Sequence, residues 1–255
     1  MTLTEFDTYI NSFLKKENYA SDISLNGIQI QNSAPDSKEI KKIAFAVDAC
    51  KETAELAVKE GADVLFVHHG LFWGRCQTVT GSFYERLSSF IKNDLALCAY
   101  HIPLDANNPY GNNYGLASRL GLKNCQEFGE WRGMCIGVKG ELEKELTMDE
   151  IASKLMRPGK KPVSVLKFGK EKISTVGVIS GGASEEVKDA IAAGLDCYIT
   201  GEFAHEDFHL AKEMGMNVIA GGHYETETTG VLLIKEKVEK ELGLKCTFLD
   251  VPTNL

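Results

Sequence analysis

Three short segments, His68-His69-Gly70, His101-Ile102-Pro103-Leu104-Asp105 and Gly222-His223-Tyr224-Glu225-Thr226-Glu227, carry the residue types that bind divalent metal ions. Each follows a strand-like apolar run: Val64-Leu65-Phe66-Val67, Leu95-Ala96-Leu97-Cys98-Ala99 and Val218-Ile219-Ala220. In an open α/β sheet ligands gather where strands end, so these segments are expected to point imidazoles and carboxylates into one crevice. His68 and His69 are adjacent, and an extended chain would send them to opposite faces. A turn at the strand end would let them serve two ions held close together, or let one bind while the other orients it. An isolated pair reads equally well as loop histidines with ordinary hydrogen bonds. His223 and Glu227 are four apart at a helix start and so share one face, a spacing that chelates but that also occurs on solvated helices. Pro103 stiffens the loop before Asp105, whose carboxylate suits a ligand or a turn cap.

The joint occurrence matters more than any single motif. Borderline metals such as zinc take nitrogen and carboxylate oxygen together, and catalytic sites keep a position for water. His68, His69, Asp105, His223 and Glu227 are too few to saturate two metals, which is a hydrolytic rather than a closed structural arrangement. In such sites the ions sit roughly 3.5 to 4 Å apart and activate a bridging water. Two divalent cations against Asp105 and Glu227 leave positive charge that would draw an anion such as phosphate.

Three further features belong with this crevice. Ser180-Gly181-Gly182-Ala183-Ser184 links a strand to a helix start and is a candidate phosphate loop, although no Gly-Lys-Ser/Thr follows and a tight turn explains it almost as well. Glu202, in Thr200-Gly201-Glu202, and His205 follow another strand and are candidates for proton transfer or for orienting a ligand. His101 has the same choice of roles.

The elements that must position these residues follow from hydrophobic period. A helix is predicted over 4–15, a strand over 43–47, a helix over 50–60 ended by Gly61, and a strand over 63–67. Then come a helix over 82–93, a strand over 95–99 and a helix over 111–120 closed by Gly121. This βα order implies parallel pairing. Between 122 and 172 the pattern loosens to strands at 134–138 and 163–166 and a helix at 147–156. Alternation resumes with strands at 176–179, 197–199 and 218–220, helices at 184–193 and 203–214, a long helix at 224–242 and a strand at 246–249. The expected class is α/β, with largely parallel βα units in two lobes: 1–125, completed by 223–255, and 126–222.

Composition narrows the setting. The 255 residues carry a formal charge of −8 and no Lys/Arg block, so nucleic acid is a partner that the overall charge does not support. The seven cysteines are odd in number and form no Cys-x-x-Cys pair, which argues against a disulfide framework or a thiolate zinc site and fits a reducing cytoplasm. Cys98 and Cys135 lie in apolar runs and read as small buried hydrophobes. The N-terminus lacks a signal-peptide pattern and no apolar stretch is long enough to cross a bilayer, so no membrane partner is expected.

Taken in order, Asn26-Gly27, Phe45-Ala46-Val47-Asp48, His68-His69-Gly70, His101 through Asp105, Ile179 through Ala183, Thr200-Gly201-Glu202 and Gly222 through Glu227 resemble the NIF-three-like dinuclear metal-centre family of type 2 GTP cyclohydrolase I homologues. Position by position, the resemblance implies that the metal ligands are His68, His69, Asp105, His223 and Glu227, holding two divalent cations per subunit (Zn, Fe, Mn or Mg). It also implies interlinked lobes, a ring-shaped homohexamer and the compact form without an inserted domain. Glu225 stands where relatives usually carry a small residue; being off the helical face of the ligands, it is expected to point to solvent. The resemblance implies a metal-dependent hydrolase acting on a nucleotide or related anion. For cyclohydrolase chemistry, hydroxide would attack the purine C8. The competing reading is a non-catalytic metal-binding assembly with a regulatory or nucleic-acid-associated role.

Overall fold

The computed structural model describes residues 1–255. The chain forms two compact units: Met1–Leu104 with Val231–Val251, and Asp105–Gly230 with Pro252–Leu255. No helix is long and apolar enough to cross a membrane.

The first unit is built on a five-stranded sheet in the order Gly27–Ile30, Ala96–Ala99, Val64–His69, Lys42–Asp48, Lys245–Phe248. All neighbours are parallel except the edge strand Gly27–Ile30, which runs antiparallel to Ala96–Ala99. Alternate residues of these strands are buried on opposite faces, as a sheet covered on both sides requires. Ala44, Ala46, Leu65, Val67, Leu97 and Ala99 pack with Ala54, Ala57, Leu87 and Phe90 of the helices Lys51–Lys59 and Gly81–Lys92. On the other face Phe66 packs against Phe45, Phe6 and Tyr100, with ring centroids 5.3, 6.5 and 5.9 Å away. Phe6 comes from the helix Leu3–Leu14, whose start is fixed by a capping box between Thr2 and Glu5. The helix thus starts one residue before its predicted start at 4.

The second unit has a mixed six-stranded sheet in the order Lys123–Trp131, Met134–Leu146, Ile173–Ile179, Cys197–Thr200, Asn217–Ala220, Ser164–Leu166. Only the pairs joining Ile173–Ile179, Cys197–Thr200 and Asn217–Ala220 are parallel. The other three pairings are antiparallel, so this sheet is mixed: its βα units are parallel, as expected, and the strands added beside them are antiparallel. Lys123–Trp131 is nearly all exposed or half-buried, and its polar sequence gives no strand signal. Leu116, Ala117 and Leu120 of the helix Asn112–Leu120 pack with Val138, Ile151, Leu155 and Val178. That packing puts the boundary at 104/105 rather than at 125. At the other end, the helix His223–Leu242 gives its start to the second unit and its remainder to the first.

A buried carboxylate ties two turns of this unit. Asp196 Oδ2 accepts from the Ser174 and Thr175 N–H groups at 3.0 and 3.1 Å, and Lys170 Nζ lies 2.6 Å from Oδ1. Burial works against the ionised form, but Lys170 and the two N–H groups outweigh it and hold Asp196 below the usual carboxylate range. The folded-state pKa is thus below the unfolded value of about 3.9. The stabilisation is therefore present above that value and lost as pH falls through the folded one. Asp196→Ala is expected to destabilise the protein by about 1–3 kcal/mol at neutral pH. The gap from wild type in denaturant melts should close below about pH 4; a gap independent of pH would contradict the assignment.

Candidate metal centre

In the first unit three histidines gather at neighbouring strand ends. The parallel register sets Asp48 beside His69, and Val67 beside Ala99, two residues before His101. One ligand nitrogen from each of His68, His69 and His101 lies within 4.8 Å of the other two. The adjacent His68 and His69 rings are 4.4 Å apart, so the strand end does turn both toward one point. The hydrogen bonds fix the tautomers. His68 Nδ1 lies 3.1 Å from the Tyr100 carbonyl oxygen, His69 Nδ1 2.9 Å from Asp48 Oδ1, and His101 Nδ1 3.0 Å from Asp22 Oδ1. A carbonyl or carboxylate oxygen only accepts, so each Nδ1 carries the proton and donates, and Nε2 is the atom whose lone pair can go to a metal ion or to a proton. Burial works against ionised Asp22, yet His101, Asn26 and the Ser24 N–H outweigh it and lower its pKa.

Asp48 and Asp22 are partners to which the sequence motifs assign no role. Asp48 has a legible signal: it ends the strand that must pair with the one delivering His69. Asp22 has none, because it reaches His101 from an irregular loop far away in the chain.

In the second unit Asp105, His223 and Glu227 are brought together. Asp105 lies on a short helix, Ile102–Ala106, where the sequence pattern suggests only a loop. Its Oδ1 accepts from Asn112 Nδ2 and Ser180 Oγ, both at 2.9 Å. Ligand oxygens of Asp105 and Glu227 lie within 4.8 Å of each other, and both residues are buried. One helical turn sets His223 Nε2 3.1 Å from Glu227 Oε1, while His223 Nδ1 meets Glu202 Oε1 at 2.5 Å. Burial opposes an imidazolium here, but the hydrogen bonds and charges of Glu227 and Glu202 prevail and raise His223 to about 9. A metal at Nε2 would have to displace that proton.

Gly181 makes room for this arrangement. Its φ of +70° is a left-handed conformation, and a Cβ there would run into the Glu227 carboxylate. Gly181→Ala is therefore strained twice over. It is expected to push Glu227 aside and cut metal occupancy at least tenfold by elemental analysis, an effect on the scale of losing an orienting partner. Retention of full metal would show that Glu227 is not a ligand.

The remaining candidates fall differently. Glu202 orients His223, as described. His205 is the exposed first residue of the helix His205–Glu213, its ring 6.5 Å from that of His209, and it joins neither ligand group. The Ser180–Ser184 loop has its first two N–H groups and its last hydroxyl engaged within the protein. The Ser180 and Gly181 N–H groups are spent on Asn113 Oδ1 and Thr226 Oγ1, and Ser184 Oγ donates to Asp207. Its helix begins only at Val187, and the cavity of about 390 Å³ beside Gly182 and Ser184 is lined by Glu185, Glu186, Glu202, Glu206 and Asp207. Such a wall repels phosphate. Glu225 does not point to solvent. It makes a bidentate pair with Arg157 at 2.5 and 2.8 Å, with its side chain only 12% exposed.

Imidazole nitrogens with fixed tautomers, together with buried carboxylates, are groups of His, Asp and Glu that could hold a metal ion. The chain is 42% identical to a protein of Archaeoglobus fulgidus named GTP cyclohydrolase 1 type 2 homolog, over the full length of both. It is 44% identical to the Deinococcus radiodurans protein of the same name, over 92% of this chain and 88% of that one. A solved structure from Thermus thermophilus superposes with a TM-score of 0.89 at 33% identity, covering all of both chains. The family model described as Duf34/NIF3 (NGG1p interacting factor 3) matches residues 1–254. With fold, sequence and family model in agreement over its whole length, the chain belongs to the Duf34/NIF3 family.

Proposed function

We propose that the protein is a metal-dependent hydrolase that binds two divalent cations per chain through His68, His69, Asp105, His223 and Glu227, and acts on a nucleotide or related anion. The observation that carries this reading is the shared Nδ1 anchoring. His68, His69, His101 and His223 each direct Nδ1 to an oxygen, which is how proteins prepare Nε2 for a metal. The name of the relatives supports a guanine nucleotide as the first substrate to test.

When bound, the ions would supply a low-pKa water and polarise the bond under attack. The protein's own groups then divide the remaining work. His101 Nδ1–H donates to Asp22, so His101 Nε2 is the atom able to take up a proton. Glu202 holds the His223 ring. Asn112 and Ser180 hold one oxygen of Asp105 and so set the direction of the other.

Elemental analysis after anaerobic purification should find two divalent ions per chain. A hydrolysis screen of the loaded protein should then find a nucleotide consumed by wild type and spared by His101→Ala. Absence of bound metal would overturn the reading. Full metal without turnover of any nucleotide would leave a metal-binding assembly. The family resemblance extends the proposal to a homohexamer; light scattering should give a six-chain mass that persists on dilution, and a monomer would reject it.

A further inference from the structure

Trp73 lies just past the His68-His69 pair, and its indole meets the same cluster. The ring is 5.0 Å from that of His101, nearly perpendicular to it at 77°, and 6.0 Å from that of His69. It is only half-buried. Its position is fixed without any ligand. Trp73 Nε1 donates to the Gly70 carbonyl at 3.1 Å, and Gln29 Oε1 accepts from the Leu71 and Phe72 N–H groups at 2.7 and 3.2 Å. Gln29 Nε2 donates to the Leu25 and Phe72 carbonyls at 3.0 and 3.3 Å, and Phe72 packs edge-on against Phe83. Gly70 permits this, because a Cβ there would collide with the Gln29 side chain.

An indole whose N–H is already satisfied has only its π surface left to offer, and an immobilised ring pays little further ordering cost on binding. We propose that Trp73 is the stacking face for the planar heteroaromatic ring of the ligand, a purine base or a ring of similar size, and sets it beside the His68, His69 and His101 cluster. This rests on the metal-dependent nucleotide reading above. A sugar phosphate without a base would not engage it.

The chain has two tryptophans, so Trp131→Phe leaves Trp73 as the sole indole reporter. Metal-loaded Trp131→Phe protein is titrated with GMP and with ribose 5-phosphate, following tryptophan emission and calorimetric affinity. GMP should quench Trp73, and ribose 5-phosphate should not. Adding Trp73→Leu should weaken GMP binding roughly 5- to 150-fold, the scale of one lost base–aromatic stack. Metal content should stay unchanged, and Trp73→Phe should recover part of the affinity. Unchanged GMP affinity in the fully metallated Leu variant overturns the stacking role and leaves the nucleotide reading standing. Metal loss in that variant also overturns it, because Trp73 would then be positioning the histidines. Failure of the loaded parent to bind GMP overturns both.

Discussion

Glu227→Ala is expected to lose more than about 100-fold in metal affinity, beyond the range typical of removing an outer partner of a ligand, while Glu225→Ala keeps its metal. The two carboxylates stand two residues apart on one helix and differ in everything that matters for a cation. Glu227 is 3% exposed, 3.1 Å from His223 Nε2 and within 4.8 Å of an Asp105 oxygen. Glu225 is turned to Arg157 in a bidentate pair. Losing Glu225 strands a partly buried guanidinium, so its cost is one of stability, about 1–3 kcal/mol. Elemental analysis after dialysis against chelator, with thermal melts of both variants, separates the outcomes. Glu227→Gln, which keeps the volume, guards against a trivial folding defect. Equal metal loss at both positions would remove Glu227 from the ligand set.

The His, Asp and Glu residues of the candidate groups were legible because their carriers are simple. Uninterrupted apolar runs mark the strands ending at His69 and Ala99, and a four-residue interval on a helix needs no tertiary knowledge to place His223 over Glu227. What escaped has physical reasons. Gly27–Ile30 is a short edge strand and Lys123–Trp131 a mostly solvated one, so neither shows the hydrophobic pattern that burial imposes. The helix Asn112–Leu120 matches its predicted span within a residue, but its allegiance to the second core depends on Val138, Ile151 and Val178, which no local pattern couples to it. Glu225 was misplaced because helical geometry tells which face a side chain leaves from and not what waits there; Arg157 waits there. The candidate phosphate loop loses support for a related reason. A glycine-rich turn before a helix looks the same in sequence whether its N–H groups are offered outward or, as at Ser180 and Gly181, already taken by side chains.

Asp48→Asn is expected to weaken metal binding by about 10- to 100-fold, although it removes no ligand. Asp48 accepts from His69 Nδ1 at 2.9 Å and thereby keeps the proton on that nitrogen and the lone pair on Nε2. An asparagine in its place can present either its oxygen or its NH₂ group. The second orientation donates toward Nδ1, moves the ring proton to Nε2 and blocks the ligand atom, as happens when a carboxylate that sets a histidine tautomer is replaced by its amide. Glu202→Gln should act on His223 in the same way, through the contact at Nδ1. His68 is the internal contrast. Its Nδ1 partner is the Tyr100 backbone carbonyl, which no side-chain substitution removes, so Tyr100→Phe should leave metal affinity untouched while costing the hydrogen bond from the Tyr100 hydroxyl to Asp7. Competition with a chromophoric chelator measures all three variants on one scale. If Asp48→Asn and Glu202→Gln bind metal as tightly as Tyr100→Phe, tautomer control by these carboxylates is not what prepares the histidines.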